Sequence, residues 1–109
     1  MNKVLITGGS GFIGNRLVSY LDNKKISIVL LSRSHDAVFE TIICDLKSDL
    51  IPENSMLGID TVFHLAAQTH DTRSDLIMAQ EYIKINIDAS IKLAELAIKS
   101  GVKRFVFIS

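Results

Sequence analysis

The chain has 109 residues, enough to close a single hydrophobic core. Apolar residues make up 48% and there is one proline, which excludes a disordered or low-complexity chain. Twelve lysines and arginines balance twelve aspartates and glutamates, so no basic field exists to hold a nucleic acid.

Cys44 is the only cysteine, so the chain can form neither an internal disulfide nor a cysteine metal cluster, and the residue reads as a small core side chain. His35, His64 and His70 lack metal-ligand spacing and have no joining carboxylate cluster, so no metal site is expected. The start, "MNKVLITGG", is too short in its apolar run for a signal peptide, and no segment is long enough to span a bilayer. The expected location is the cytoplasm, with no membrane partner.

Val4–Ile6 form a short apolar run that stops at glycines, as a buried parallel strand does. Phe12, Ile13, Leu17, Val18 and Leu21 then repeat at helical spacing, predicting a helix from about Gly11 to Asp22 with Ser10 near its N-cap. "ISIVLLS" (26–32) and "TIIC" (41–44) read as the second and third strands. The polar stretch 45–59, which holds Pro52, reads as loop. "DTVFHLAA" (60–67) is a fourth strand. A long helix follows from about Ser74 to Lys99, with Ile83, Ile87, Ile91, Ala94 and Ile98 as its apolar face and Gly101 as its stop. "RFVFIS" is the fifth strand. Strands alternating with helices predict an α/β fold, a Rossmann-type doubly wound parallel sheet of order 3-2-1-4-5. Ligands bind such sheets beyond the carboxyl ends of the strands, where strands 1 and 4 diverge.

"ITGGSGFIG" lies at that point. Gly9, Gly11 and Gly14 satisfy G-x-G-x-x-G, while Gly8, Gly11 and Gly14 satisfy a wider spacing. In either register one glycine turns the chain, Gly11 admits a pyrophosphate to the backbone, and Gly14 allows close packing of the helix. A phosphate-binding P-loop is excluded because Asn15 and Arg16, rather than Lys and Ser/Thr, follow Gly14. A nucleophile elbow beginning at Gly8 fails at Phe12.

"TGGSGFIG", followed in order by "DL" (45–46), "HLAAQ" (64–68), Asn86 and "GVKRFVFIS", resembles the extended short-chain dehydrogenase/reductase family of nucleotide-sugar epimerases and dehydratases. The resemblance covers the whole chain. It implies that Gly8, Gly11 and Gly14 form the phosphate turn, with the amides of Phe12 and Ile13 covering the pyrophosphate. It implies that Asp45 bonds the adenine amino group and Leu46 lies against the ring, while Leu65, Ala66 and Ala67 pass close to the adenosine ribose and phosphates. A loop-capping role competes for Asp45. Asn86 falls beside Ile83 and Ile87 in this reading, where a polar group needs a partner. His64 reads as structural rather than catalytic.

NAD-binding sheets carry an acid at the end of strand 2, about 20 residues past the glycines, to hold the ribose 2′-hydroxyl. Ser32 and Arg33 stand there instead. A hydroxyl and a guanidinium suit a 2′-phosphate, so the expected cofactor is NAD(P), with NADP favoured over NAD.

The family reaction is hydride transfer at a sugar carbon, assisted by a Tyr/Lys pair four residues apart. The one such spacing here, Tyr20 to Lys24, falls at the far end of the first helix and is rejected. The resemblance puts the catalytic residues and substrate domain beyond Ser109. The chain is thus expected to be an N-terminal cofactor-binding portion, truncated after strand 5 and inactive alone. The parent enzyme would act on a nucleotide sugar, and pairing through the exposed fifth strand would make a homodimer. A non-catalytic Rossmann regulator that senses NAD(P), or a reductase acting on a non-sugar carbonyl, are the alternatives.

Overall fold

The computed structural model describes residues 1–65 and 76–108. Five parallel strands, β1 (Lys3–Thr7), β2 (Ser27–Ser32), β3 (Glu40–Ile43), β4 (Thr61–Leu65) and β5 (Arg104–Ile108), form one sheet in the order β3-β2-β1-β4-β5. Helix α1 (Phe12–Asn23) follows β1, and α2 (Leu76–Lys99) joins β4 to β5. The fold class and the strand order expected from the sequence are therefore both present.

Successive side chains of a strand point to opposite faces, so a strand buried on both faces feeds two cores. Val4, Ile6, Ile28 and Leu30 meet Val18 and Leu21 of α1. Leu5, Val29, Leu31 and Val62 meet Leu93 and Ala97 of α2. The second core also takes Met56 and Ile59, 0% and 5% exposed, from the polar stretch before β4. Turn signals correctly placed that stretch outside regular structure but concealed that it contributes to the core that α2 shares with the sheet.

The helix faces need one correction. The isoleucine stripe of α2 is its outer face: Ile83, Ile87, Ile91 and Ile98 are more than half exposed. Ala89, Leu93 and Ala97 face the sheet instead. Both stripes are apolar at the same period, and periodicity does not say which one faces the sheet. Small residues at 89 and 97 let the helix backbone approach the strands, whereas the branched isoleucines would hold it away. Asn86 follows the same rotation. It shares the sheet-facing side with Ala89 and Ser90, three and four residues on, not the side of Ile83 and Ile87.

Smaller corrections concern the ends. Ser10 does not cap α1; Gly11 occupies the N-cap and no side chain bonds there. Cys44 lies just past β3, its amide donating to the Ser32 carbonyl. Gly101 closes α2 as expected, with φ of +78° and its amide on the Ile98 carbonyl.

At the amino ends of the strands, one residue ties three of them together. Asp60 Oδ2 accepts from the amides of Asn2 and Lys3, and its Oδ1 accepts from the Thr61 hydroxyl. Its carbonyl takes the amides of Lys103 and Arg104 at the start of β5. These bonds to the charged form, that from Asn2 first, hold the Asp60 carboxyl down at about 2.

Candidate functional site

A cavity of about 930 Å³ opens over the carboxyl ends of β1, β2 and β4. The glycine turn forms its floor. Gly8 has φ of +74°, and a Cβ there would stand 2.7 Å from the Leu65 carbonyl oxygen. A Cβ on Gly14 would fall 2.3 Å from the Gly8 oxygen and 2.7 Å from the Gly9 Cα. The turn is therefore locked between the end of β4 and the first turn of α1, and Gly14 packs on the turn itself rather than on the sheet. The overlapping registers resolve in favour of Gly8, Gly11 and Gly14, because Gly8 carries the left-handed conformation.

Gly11 differs from its two companions. A Cβ there would meet nothing nearer than 3.6 Å, and its backbone is extended. The protein itself does not require glycine at this position; a group lying against the turn would. The first turn of a helix leaves its N–H groups without intrahelical acceptors, and here no side chain caps them. Phe12 and Ile13, which begin that turn, both line the cavity. A backbone bare of side chains beneath uncapped amides fits a pyrophosphate.

The other expected residues converge on the same space. Ser32 and Arg33 line it from the end of β2, Asp45 and Leu46 from beyond β3, Leu65 from β4 and Asn86 from α2. Asp45 caps the loop and also lines the cavity. Its Oδ1 accepts from the Lys47 amide. Asp49 steadies this turn, its Oδ2 accepting from the Asp45 amide at 2.7 Å. Ala66, Ala67 and Ser109 lie outside the described residues.

Sequence reasoning missed Thr7, Lys47 and Ala89 as lining residues and gave Cys44 only a core role. Position relative to the chosen sites held a signal: Thr7 precedes Gly8, Cys44 precedes Asp45, and Ala89 lies one helical turn from Asn86. Burial pushes the Cys44 thiol up, with Asp49 and Asp45 adding to it. The thiol is therefore protonated and unreactive in this wall. His64 is buried, with Nδ1 against the Thr7 hydroxyl and Nε2 against Ser90. Desolvation lowers its pKa, so the ring is neutral at neutral pH, and the residue lines the cavity. Tyr20 is 60% exposed, with the Lys24 ammonium over its ring, and does not line the cavity. Among the described residues, no cluster of metal-ligating side chains occurs, and no helix is long and apolar enough to cross a membrane.

A sheet of order 3-2-1-4-5, with a glycine turn and helix N-terminus at the switch between β1 and β4, defines a Rossmann-type protein. The model of the NAD dependent epimerase/dehydratase family matches residues 4–109. The chain belongs to that family. It is 32% identical to the UDP-glucose 4-epimerase of Vibrio cholerae, over 98% of this chain and 34% of that protein. It is 30% identical to a 3-beta-hydroxysteroid dehydrogenase of Mycolicibacterium neoaurum, over 98% of this chain and 31% of the relative. Among solved structures it is similar to MoeE5 in complex with UDP-glucose and NAD. That likeness has a TM-score of 0.80 at 35% identity and covers 97% of this chain and 36% of the other. The chain thus spans about a third of the length of the relatives it matches.

Proposed function

We propose that this chain is the dinucleotide-binding part of a longer, cytoplasmic nucleotide-sugar epimerase, dehydratase or reductase. The observation that carries the reading is Gly11, a glycine the fold does not need, set beneath uncapped amides where eleven of the expected residues meet in one cavity. In this reading the amides of Phe12 and Ile13 hold the pyrophosphate. Asp45 presents its second carboxylate oxygen to the adenine amino group, with Leu46 against the ring, and Asn86 closes the site from α2. Bound NAD(P) would supply the hydride acceptor for oxidation at a sugar carbon. The residues that move the substrate proton belong to the remainder of the enzyme, so the chain alone binds cofactor and turns nothing over. Turnover of a nucleotide sugar by this chain would contradict that.

NADP is the proposed preference, because Ser32 and Arg33 stand where an acid would hold the ribose and both line the cavity. Titration calorimetry with NAD and NADP tests the site and the preference together. Binding of neither removes the dinucleotide reading, and tighter NAD binding removes the preference alone. For the isolated chain the proposed assembly is a homodimer through β5, on which Phe107 is half exposed. A monomer by sedimentation at high concentration would overturn it.

Similarity to the steroid dehydrogenase favours a second reading, a reductase of a non-sugar carbonyl. Activity of the whole enzyme on a steroid ketone, with none on UDP-sugars, would select it.

A further inference from the structure

Beneath the cavity, Thr7, His64 and Phe107 form one row across the sheet, for Thr7 pairs with His64 and His64 with Phe107 in the parallel registers. Thr7 and His64 are 1% and 5% exposed, so their polar atoms need protein partners. They have them. Thr7 Oγ1 lies 2.5 Å from His64 Nδ1, His64 Nε2 lies 2.9 Å from Ser90 Oγ, and Ser90 Oγ donates to the Asn86 carbonyl at 2.9 Å. The last link fixes the proton positions. A serine hydroxyl has one proton, and that of Ser90 goes to Asn86, so Ser90 accepts from His64 and the ring proton sits on Nε2. Nδ1 is then a lone pair that accepts from Thr7. The bonds run in one direction from β1 through β4 to α2.

Both ends of this run reach the cavity. Thr7 is the residue before Gly8, whose left-handed conformation starts the glycine turn. Asn86, at the other end, lines the cavity from α2. We infer that His64 is a positioning residue for the dinucleotide site, its Nε2–H tautomer holding the glycine turn and the Asn86 turn of α2 in one fixed relation. This rests on the dinucleotide reading above.

Protonating the ring breaks the arrangement. Both nitrogens then donate, and the buried Thr7 hydroxyl must rotate away from the acceptor it has. The side chains against the ring are Thr7 from β1, Ser90 from α2, and Phe105 and Phe107 from β5, at ring separations of 6.4 and 5.4 Å. None of these is ionisable; the charged residues that line the cavity with His64 are Arg33, Asp45 and Lys47, and among the described residues none of them bonds to the imidazole. Cofactor affinity is therefore constant around neutrality and falls on the acid side, as His64 takes up its proton.

The test measures NAD dissociation constants for the full chain from about pH 8 to about pH 5, beside His64→Gln, with thermal midpoints to show that each sample is folded. The wild type is expected to lose affinity by roughly tenfold across its acid limb, while the glutamine variant is weaker at neutrality and flat in acid. An unchanged acid limb in His64→Gln overturns the inference. A second arm needs no cofactor. Ring nitrogen NMR shifts are expected to show the Nε2–H form, and the Gly8 and Asn86 amides to move with the ring titration. A proton on Nδ1, or amides that do not follow, also overturns it. Amides that follow in a chain that binds neither NAD nor NADP leave the coupling intact and sink the dinucleotide reading alone.

Discussion

Three glycines in one turn are glycine for different reasons, and substitution separates them. Gly14→Ala puts a methyl against backbone atoms that have no room to yield, so a loss of about 1–3 kcal/mol in stability is expected by urea unfolding. Gly11→Ala meets only ordinary contacts, so its stability should stay within about 1 kcal/mol of wild type. Its NAD(P) affinity should nevertheless fall by at least about tenfold, because the new methyl stands where the pyrophosphate would lie. If Gly11→Ala binds as tightly as wild type, the cradle is not used. The G-x-x-G-x-x-G spacing was legible in the sequence, but this division of labour was not, since it depends on how close Gly8, Leu65 and Gly14 come in space.

Among the elements, α2 is where pattern and packing part. Leu93 is fully buried against β1 and β4, so Leu93→Ala should cost about 2–5 kcal/mol. Ile87, 53% exposed, should lose less than about 1 kcal/mol on the same change in the isolated chain. Equal losses would mean that the isoleucine stripe is buried after all. The helix existed in the sequence as a 3.6-residue apolar period; its rotation was hidden because two adjoining stripes are apolar. Asn86 moved with that rotation, which is why a residue assigned to the isoleucine side lines the cavity.

At the scale of the whole molecule, Asp60 couples the amino ends of β1, β4 and β5 through one carboxylate and one carbonyl. Its folded pKa of about 2 lies below the ordinary 3.8, so the ionised form stabilises the fold. That contribution is complete above the ordinary value and is lost as pH falls through about 2. Thermal midpoints of Asp60→Asn should sit below wild type at neutral pH and converge on it in acid. Parallel curves across that window would show that the carboxylate charge contributes nothing.

With the residues around the glycine turn supplied by the family resemblance, the sequence by itself determined the alternation of strands and helices, the strand order and the turn. Those features are local: period, turn chemistry and the handedness of crossovers are written in neighbouring residues. Only the tertiary structure decided which stripe of α2 meets the sheet and that Met56 fills the core from a polar loop. It alone decided that Thr7, His64 and Ser90 bond in series beneath the cavity. Each of those depends on residues far apart in the chain, such as 7, 64 and 90, arriving within bonding distance, and no local pattern encodes that meeting.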